Sequence, residues 1–158
     1  ISIKKNYNVL YLGAANGTTV SHVSDIVTDG TVFAVEFSPR AMKDLINVAS
    51  SRMNLVPILS DAANPESYQN MVPCVDVIYQ DVAQRDQAGI AVRNAKFYLK
   101  KDGILVLIIK ARSIDSTRDP QDVADKEVKK LERIFKITEL VNLEPFHHDH
   151  FAVVALRI

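Results

Sequence analysis

Residues 8–20 read NVLYLGAANGTTV. Val9 to Leu12 is an apolar run suited to a buried strand, and Gly13 ends it. Beyond the turn, Val20, Val23, Ile26 and Val27 recur at helical spacing, with Thr18 or Thr19 placed to cap that helix. Strand, glycine turn and helix in this order open a βα unit, and the pattern repeats down the chain. Asp29-Gly30 is a turn, and Thr31 to Phe37 is a β-branched and aromatic strand. Ser38 caps and Pro39 begins a helix expected to turn Met42, Leu45, Ile46 and Ala49 inward. Leu55 to Leu59 is a third strand, and Asn64-Pro65 opens a short helix toward Met71. Val75 to Tyr79 is a fourth strand, followed by a helix over Gln84 to Leu99 and a turn at Asp102-Gly103. Ile104 to Ile109 is apolar on both faces, as a central parallel strand must be. A helix from Asp119-Pro120 to about Phe135 precedes strands Ile137 to Leu143 and Phe151 to Ile158, whose short link makes them antiparallel. The alternation predicts an α/β fold: a mostly parallel seven-stranded sheet with helices on both faces and an antiparallel last strand.

The 158 residues, 47% apolar and 24% charged, amount to one domain over residues 1–158 with a core of its own. Cys74 is alone, so an internal disulfide and a cysteine metal cluster are excluded, and a cytosolic setting is expected. No apolar run approaches the ~18 residues of a membrane span, and Ile1 to Asn8 lack a signal pattern, so no membrane partner is expected. Nineteen basic residues balance nineteen acidic ones. Zero net charge argues against a protein that grips nucleic acid unaided, though not against one working inside a complex. The absence of Trp argues against a large stacking platform.

Ligands of open α/β sheets sit beyond the carboxyl ends of the strands. Those ends present Gly13 to Thr19, Glu36, Asp61, Asp81 and Lys110, and the reversed last strand begins on the same rim at His150. The first loop places Gly13, Ala15 and Thr18 where a dinucleotide fingerprint wants three glycines, so a pyrophosphate fits poorly; no Gly-Lys-Ser/Thr follows for a P-loop. It resembles instead the shortened glycine turn of class I S-adenosylmethionine (SAM)-dependent methyltransferases. Glu36, 19 residues after Gly17, could accept both hydroxyls of an adenosine ribose. Asp61 could meet an adenine amine or simply cap the turn before Asn64-Pro65. Asp81 and Lys110 end adjacent apolar strands, so their charges could pair, either to finish the strands or to do chemistry. The His147-His148-Asp149-His150 run falls short of the ligands a closed zinc site needs, so an edge turn is expected and no metal. The charged helix from Asp119 reads as a solvated face.

Taken as blocks, residues 9–25, Ala34-Val35-Glu36-Phe37-Ser38, Asp81-Val82-Ala83-Gln84, Ile109-Lys110-Ala111, Ile114-Asp115-Ser116-Thr117, Glu144-Pro145-Phe146 and Asp149-His150 resemble fibrillarin, in order and over nearly the whole chain. The short form is similar to archaeal members. The resemblance implies a Rossmann-like class I SAM-methyltransferase fold and a SAM-dependent RNA 2′-O-methyltransferase working in box C/D particles. There a guide RNA pairs with target rRNA or tRNA, a Nop-family scaffold holds the enzyme, and a kink-turn-binding protein anchors the scaffold. The setting would be the cytoplasm of an archaeal cell, or the nucleolus of a eukaryote. The family's active site is a Lys-Asp-Lys-His set whose last three places fall on Asp81, Lys110 and His150. Its first lysine belongs to a helix upstream of the first strand; Lys4 and Lys5 match ordinary lysines before that strand, so an N-terminal subdomain is expected to be missing. Strand ends and matched blocks together assign Gly13, Ala14, Ala15, Gly17, Thr18, Thr19, Glu36, Phe37, Asp61, Ala62, Asp81 and Gln84 to the cofactor. Two other readings stay open. An NAD-dependent oxidoreductase would use Glu36 equally, against the missing glycines. A non-catalytic subunit of an RNA–protein complex would not need Asp81, Lys110 and His150 together.

Overall fold

The computed structural model describes residues 2–158. Strands β1 (Val9–Leu12), β2 (Val32–Glu36), β3 (Leu55–Leu59), β4 (Val75–Gln80), β5 (Leu99–Lys110), β6 (Phe135–Asn142) and β7 (His150–Arg157) form one sheet in the order β3-β2-β1-β4-β5-β7-β6. Every pairing is parallel except the two made by β7, which runs antiparallel to β5 and β6. The expected architecture is therefore present, and the strand order reverses between β1 and β4. Such a switch point opens a crevice at the carboxyl ends, because the flanking connections leave in opposite directions.

Alternation along β1 divides the core. Leu10 and Leu12 face one side with Ile78, Leu105 and Leu107, beneath α3 (Gln87–Tyr98) and α5 (Pro120–Leu131). Val9 and Tyr11 face the other, beneath α1 (Thr18–Ile26) and α2 (Pro39–Ser50). On that second face, Tyr79, Val106, Val154 and Leu156 are only half-buried.

Several local expectations are corrected. The cap of α1 is Gly17, at φ 100°, not Thr18 or Thr19; Thr18 already lies in the first turn, its N–H bonded to Asn16 Oδ1. Ile46 and Ile26 are about half exposed, because the inward stripes run through Met42, Leu45 and the partly buried Val48 and through Val20, Val23 and Val27. Each outlier sits roughly 90–100° round its helix from the stripe centre. α3 begins at Gln87, leaving Gln84 in the loop. Asp102-Gly103 is not a turn ahead of the strand. It is absorbed as a bulge in β5, with Leu99 opposite Val75 but Ile104 opposite Val77, and Asp102 at φ 61°. α5 stops at Leu131, so Phe135 opens β6 instead of closing a helix, and a short α4 (Ala111–Ile114) follows β5 directly. The segment after Asn64 is a single 3-10 turn, Pro65–Tyr68.

Candidate functional site

The loop after β1 is built around close backbone approach. Gly13 sits at φ 85°, where a Cβ would lie 2.3 Å from the Asp81 carbonyl oxygen. That contact is incompatible with any side chain, so the loop can lie against the end of β4 only with glycine here. Ala15 is also left-handed, at φ 50°, and its N–H donates to Glu36 Oε1 at 3.0 Å. The other carboxylate oxygen, Oε2, accepts from Ser38 N at 2.8 Å. Glu36 is only 7% exposed, yet it borders the crevice. A carboxylate offers about four lone-pair sites, so two backbone bonds fix its orientation and leave acceptor capacity for a ligand.

The rim beyond β3 is tied down from two directions. Asp61 Oδ1 accepts from Ala63 N and from Gln84 Nε2, both at 2.9 Å, which realises the turn-capping role and joins the loops after β3 and β4. Asn94 Nδ2, fully buried in α3, donates to the Ala62 carbonyl at 2.8 Å, while its Oδ1 accepts from the Tyr68 hydroxyl. Burial pushes the Tyr68 hydroxyl pKa up, so it stays a neutral donor. Burial does the same to Tyr11, reinforced by Tyr79 and Asp81, and Tyr11 stacks on Tyr79 with centroids 4.7 Å apart.

At the ends of β4 and β5, Lys110 Nζ lies 2.7 Å from Asp81 Oδ1, with the two side chains 25% and 30% exposed. Lys110 pairs directly with His150 across the β5–β7 ladder, so their side chains emerge on one face. His150 Nδ1 lies 2.6 Å from the His148 carbonyl oxygen, which makes Nδ1 the protonated nitrogen and leaves Nε2 free. The turn before His150 is braced by Arg112 Nε, which donates to Asp149 Oδ2 at 2.8 Å. That bond holds the Asp149 carboxyl below the usual carboxylate range. His148 stands between Glu144, at 2.7 Å, and Asp149, at 3.2 Å, so the histidine run forms a polar turn whose groups engage one another.

These features enclose a cavity of about 310 Å³. It is lined by Gly13, Ala15, Val35, Glu36, Phe37, Ser60, Ala62, Asp81, Val82, Ala83, Gln84 and Lys110. Eight of the residues singled out from sequence thus meet at one crevice: Gly13, Ala15, Glu36, Phe37, Ala62, Asp81, Gln84 and Lys110. Ala14 is instead packed in the core under α1, and Gly17 is buried beneath Val48. Thr18 and Thr19 are exposed on the first turn of α1, and Asp61 stands behind the lining, holding Gln84. His150 lies outside the lining, next to Lys110. Sequence reasoning missed Gln80, Gln87 and Asn94, all fully buried. Their signal was an amide interrupting an otherwise apolar strand or helix face, which a buried position tolerates only when it is hydrogen-bonded.

The arrangement suits a nucleoside rather than a pyrophosphate. It offers a fixed carboxylate for hydroxyls, an exposed aromatic at Phe37 (67% exposed), and an ammonium–carboxylate pair at the far end. Ala15 carries a methyl where close phosphate approach needs glycine.

The family model described as Fibrillarin matches residues 1–157. The fibrillarin-like rRNA/tRNA 2′-O-methyltransferase of Methanosarcina mazei is 56% identical over 159 residues, covering 98% of this chain and 70% of the relative. The crystal structure of a fibrillarin/Nop5p complex superimposes with a TM-score of 0.97 at 44% identity, covering 100% of this chain and 76% of that one. Aeropyrum pernix fibrillarin, in complex with natively bound S-adenosyl-L-methionine, gives 0.89 at 46% identity, covering 98% of this chain and 68% of that one. Family match, sequence identity and superposition all run essentially from one end of the chain to the other, and the chain belongs to the fibrillarin family.

Proposed function

We propose that this chain is a SAM-dependent methyltransferase that modifies ribose 2′-hydroxyls of rRNA and tRNA, held by a Nop-family scaffold in the cytoplasm of an archaeal cell. A box C/D guide RNA would choose the target nucleotide, and a kink-turn-binding protein would anchor the scaffold. The observation that carries the reading is the Glu36–Asp81–Lys110 crevice, where an acceptor, the Phe37 ring and a cation line one cavity. The names of the relatives support the activity, and the Nop5p complex of a family member supports the scaffold. Zero net charge fits a protein that leaves sequence recognition to base pairing.

The crevice fits SAM by its own chemistry. Glu36 has acceptor capacity left over for ribose hydroxyls, and Phe37 exposes an apolar ring at the same wall. The residues that would hold the cofactor are Glu36, Phe37, Ala62 and Gln84 at the nucleoside end and the Gly13–Ala15 loop at the amino-acid end. When bound, SAM supplies an activated sulfonium methyl that carries its own leaving group. The protein's part is then to place the ribose 2′ oxygen, exclude water and stabilise developing charge. Lys110 supplies the positive charge at that oxygen. Asp81 fixes the ammonium and offers a carboxylate to receive the hydroxyl proton. His150, with Nε2 free beside Lys110, orients the substrate ribose.

Lys110→Ala in a particle reconstituted with scaffold, kink-turn protein and guide-matched RNA tests this. Methyl transfer should fall by about 10²–10³, the usual cost of one oxyanion donor, with SAM affinity within about twofold. Turnover within a few-fold of the parent would remove Lys110 from the chemistry.

A further inference from the structure

Lys110 stands beyond the end of its neighbouring strand. The β4–β5 ladder closes at Gln80 opposite Leu107, three residues short of it. Ala111 N–H reaches across to Asp149 O on the β7 side, so the N–H and C=O of Lys110 point the other way, toward the space where β4 has ended. Buried peptide groups in that position need partners. Gln87, at the first turn of α3 and fully buried, provides both: its Oε1 accepts from Lys110 N at 2.9 Å and its Nε2 faces Lys110 O at 3.4 Å. The carboxamide takes the place of the absent strand. The backbone carbonyl of Gln87 in turn accepts from Gln80 Nε2 at 2.7 Å, and Gln80 immediately precedes Asp81. The next amide in α3, Ala88 N, donates to Glu127 Oε2 at 2.9 Å, which pins the start of the helix to α5.

We propose that Gln87 is a positioning residue for Lys110: its buried amide clamps the Lys110 peptide groups and, through Gln80, locks the two strand ends in the register that sets the ammonium against Asp81. This rests on the reading of Lys110 as the group that acts on the 2′ oxygen. The function requires a fixed ammonium at a strand end, where the sheet holds the backbone from the β7 side only. A displacement of about 1 Å in a catalytic group costs on the order of 100-fold, so the clamp controls rate rather than cofactor binding, because Glu36 and Phe37 stand at the end of β2, three strands from β5.

Gln87→Leu removes both bonds with little change in volume. In the reconstituted particle the single-turnover methyl-transfer rate should fall about 10- to 100-fold, with the SAM dissociation constant within twofold, and the Lys110 amide should lose its protection from hydrogen exchange. Gln87→Glu separates positioning from packing. The neutral acid can accept from Lys110 N–H and donate to Lys110 C=O, whereas the ionised form cannot donate. The charged groups near it are Lys110 and Asp81 at the strand ends, Asp86 at the cap of α3 with its partner Arg93, and Glu127 of α5 with its partner Lys130. The rate of Gln87→Glu should match the parent at low pH and drop as the new carboxyl ionises, a step the parent lacks. Equal single-turnover rates for Gln87→Leu and the parent would overturn the proposal. So would a Gln87→Glu rate that parallels the parent at every pH, which remains readable if Gln87→Leu does not fold. A parent particle that transfers no methyl would sink the activity itself, and unchanged exchange of the Lys110 amide in Gln87→Leu would then independently sink the clamp.

Discussion

Replacing Glu36 by Gln keeps the shape of the side chain and removes one acceptor. In the free protein both carboxylate oxygens are used, Oε1 by Ala15 N at 3.0 Å and Oε2 by Ser38 N at 2.8 Å. An amide can satisfy only one of these donors, because its nitrogen would face the other N–H. Hydrogen bonds to a charged acceptor contribute about 1.5–3 kcal/mol each, so the variant should lose up to that much stability, somewhat less where water from the crevice fills in. For a chain of this length that is a fall in Tm of roughly 3–12 °C. The ligand side carries a separate loss. One ribose hydroxyl would exchange an ionic acceptor for a neutral amide, a loss of about 1–1.5 kcal/mol, or about 5- to 13-fold in affinity. Calorimetric titration with SAM reads the second effect, and a melting curve without ligand reads the first. Both should appear. A lowered Tm with SAM affinity unchanged within twofold would refute the argument, because Glu36 would then brace the loop and not the ribose. NAD titrated in parallel should bind neither protein, since Ala15 crowds the position where a pyrophosphate would pass.

Gly13→Ala combines a left-handed backbone, φ 85°, with a Cβ set 2.3 Å from the Asp81 carbonyl. The conformation costs about 1–2 kcal/mol and the overpacking about 1–3 more, so a fall in Tm of several degrees should accompany weaker SAM binding; a variant melting with the parent would show that this contact is not tight. Asp149→Asn tests the Arg112 brace. The residue sits at φ 57°, which Asn also adopts, so the backbone is kept and only the charge is lost. The folded carboxyl titrates below its unfolded value because Arg112 donates to it. Its contribution is therefore fully present above the unfolded pKa of about 3.9 and disappears as pH falls through the lower, folded value. The parent should melt above the variant at pH 7, with the gap closing in the acid range; a gap of the same size at pH 7 and pH 3 would contradict the assignment.

The two faces of the crevice are held by different physics. The wall from β1 and β2 relies on backbone conformation: left-handed Gly13 and Ala15 turn the loop so that the Ala15 N–H holds the buried Glu36 carboxylate at the crevice. The wall from β4 and β5 relies on α3, which anchors both rims with buried amides, Asn94 on the Ala62 carbonyl and Gln87 on Lys110. One helix thereby ties the loop after β3 to the end of β5 from behind the crevice lining. An unpaired buried amide or peptide costs about 1–3 kcal/mol, so these side chains hold the loops in one arrangement more firmly than apolar packing would.

What could be read along the chain was what depends on neighbours in sequence. Val9 to Leu12 and Ile104 to Ile109 declare strands by their own composition, Ser38-Pro39 marks a helix start, and the strand ends nominate Glu36, Asp81 and Lys110, because a polar residue ending an apolar run has few other places to be. The boundaries that slipped were those where a distant partner intervenes. Gly17 replaces the threonines as cap because the loop must turn against α2, and Asp102-Gly103 becomes a bulge because β5 pairs with β4 on either side of it. The same holds for the amides. Gln87 meets Lys110 across 23 residues and Asn94 meets Ala62 across 32. Gln87 hydrogen-bonds a peptide group left open because β4 has ended, and Asn94 one in the turn after β3; where a strand ends relative to its neighbour is set by the packed sheet rather than by any local pattern.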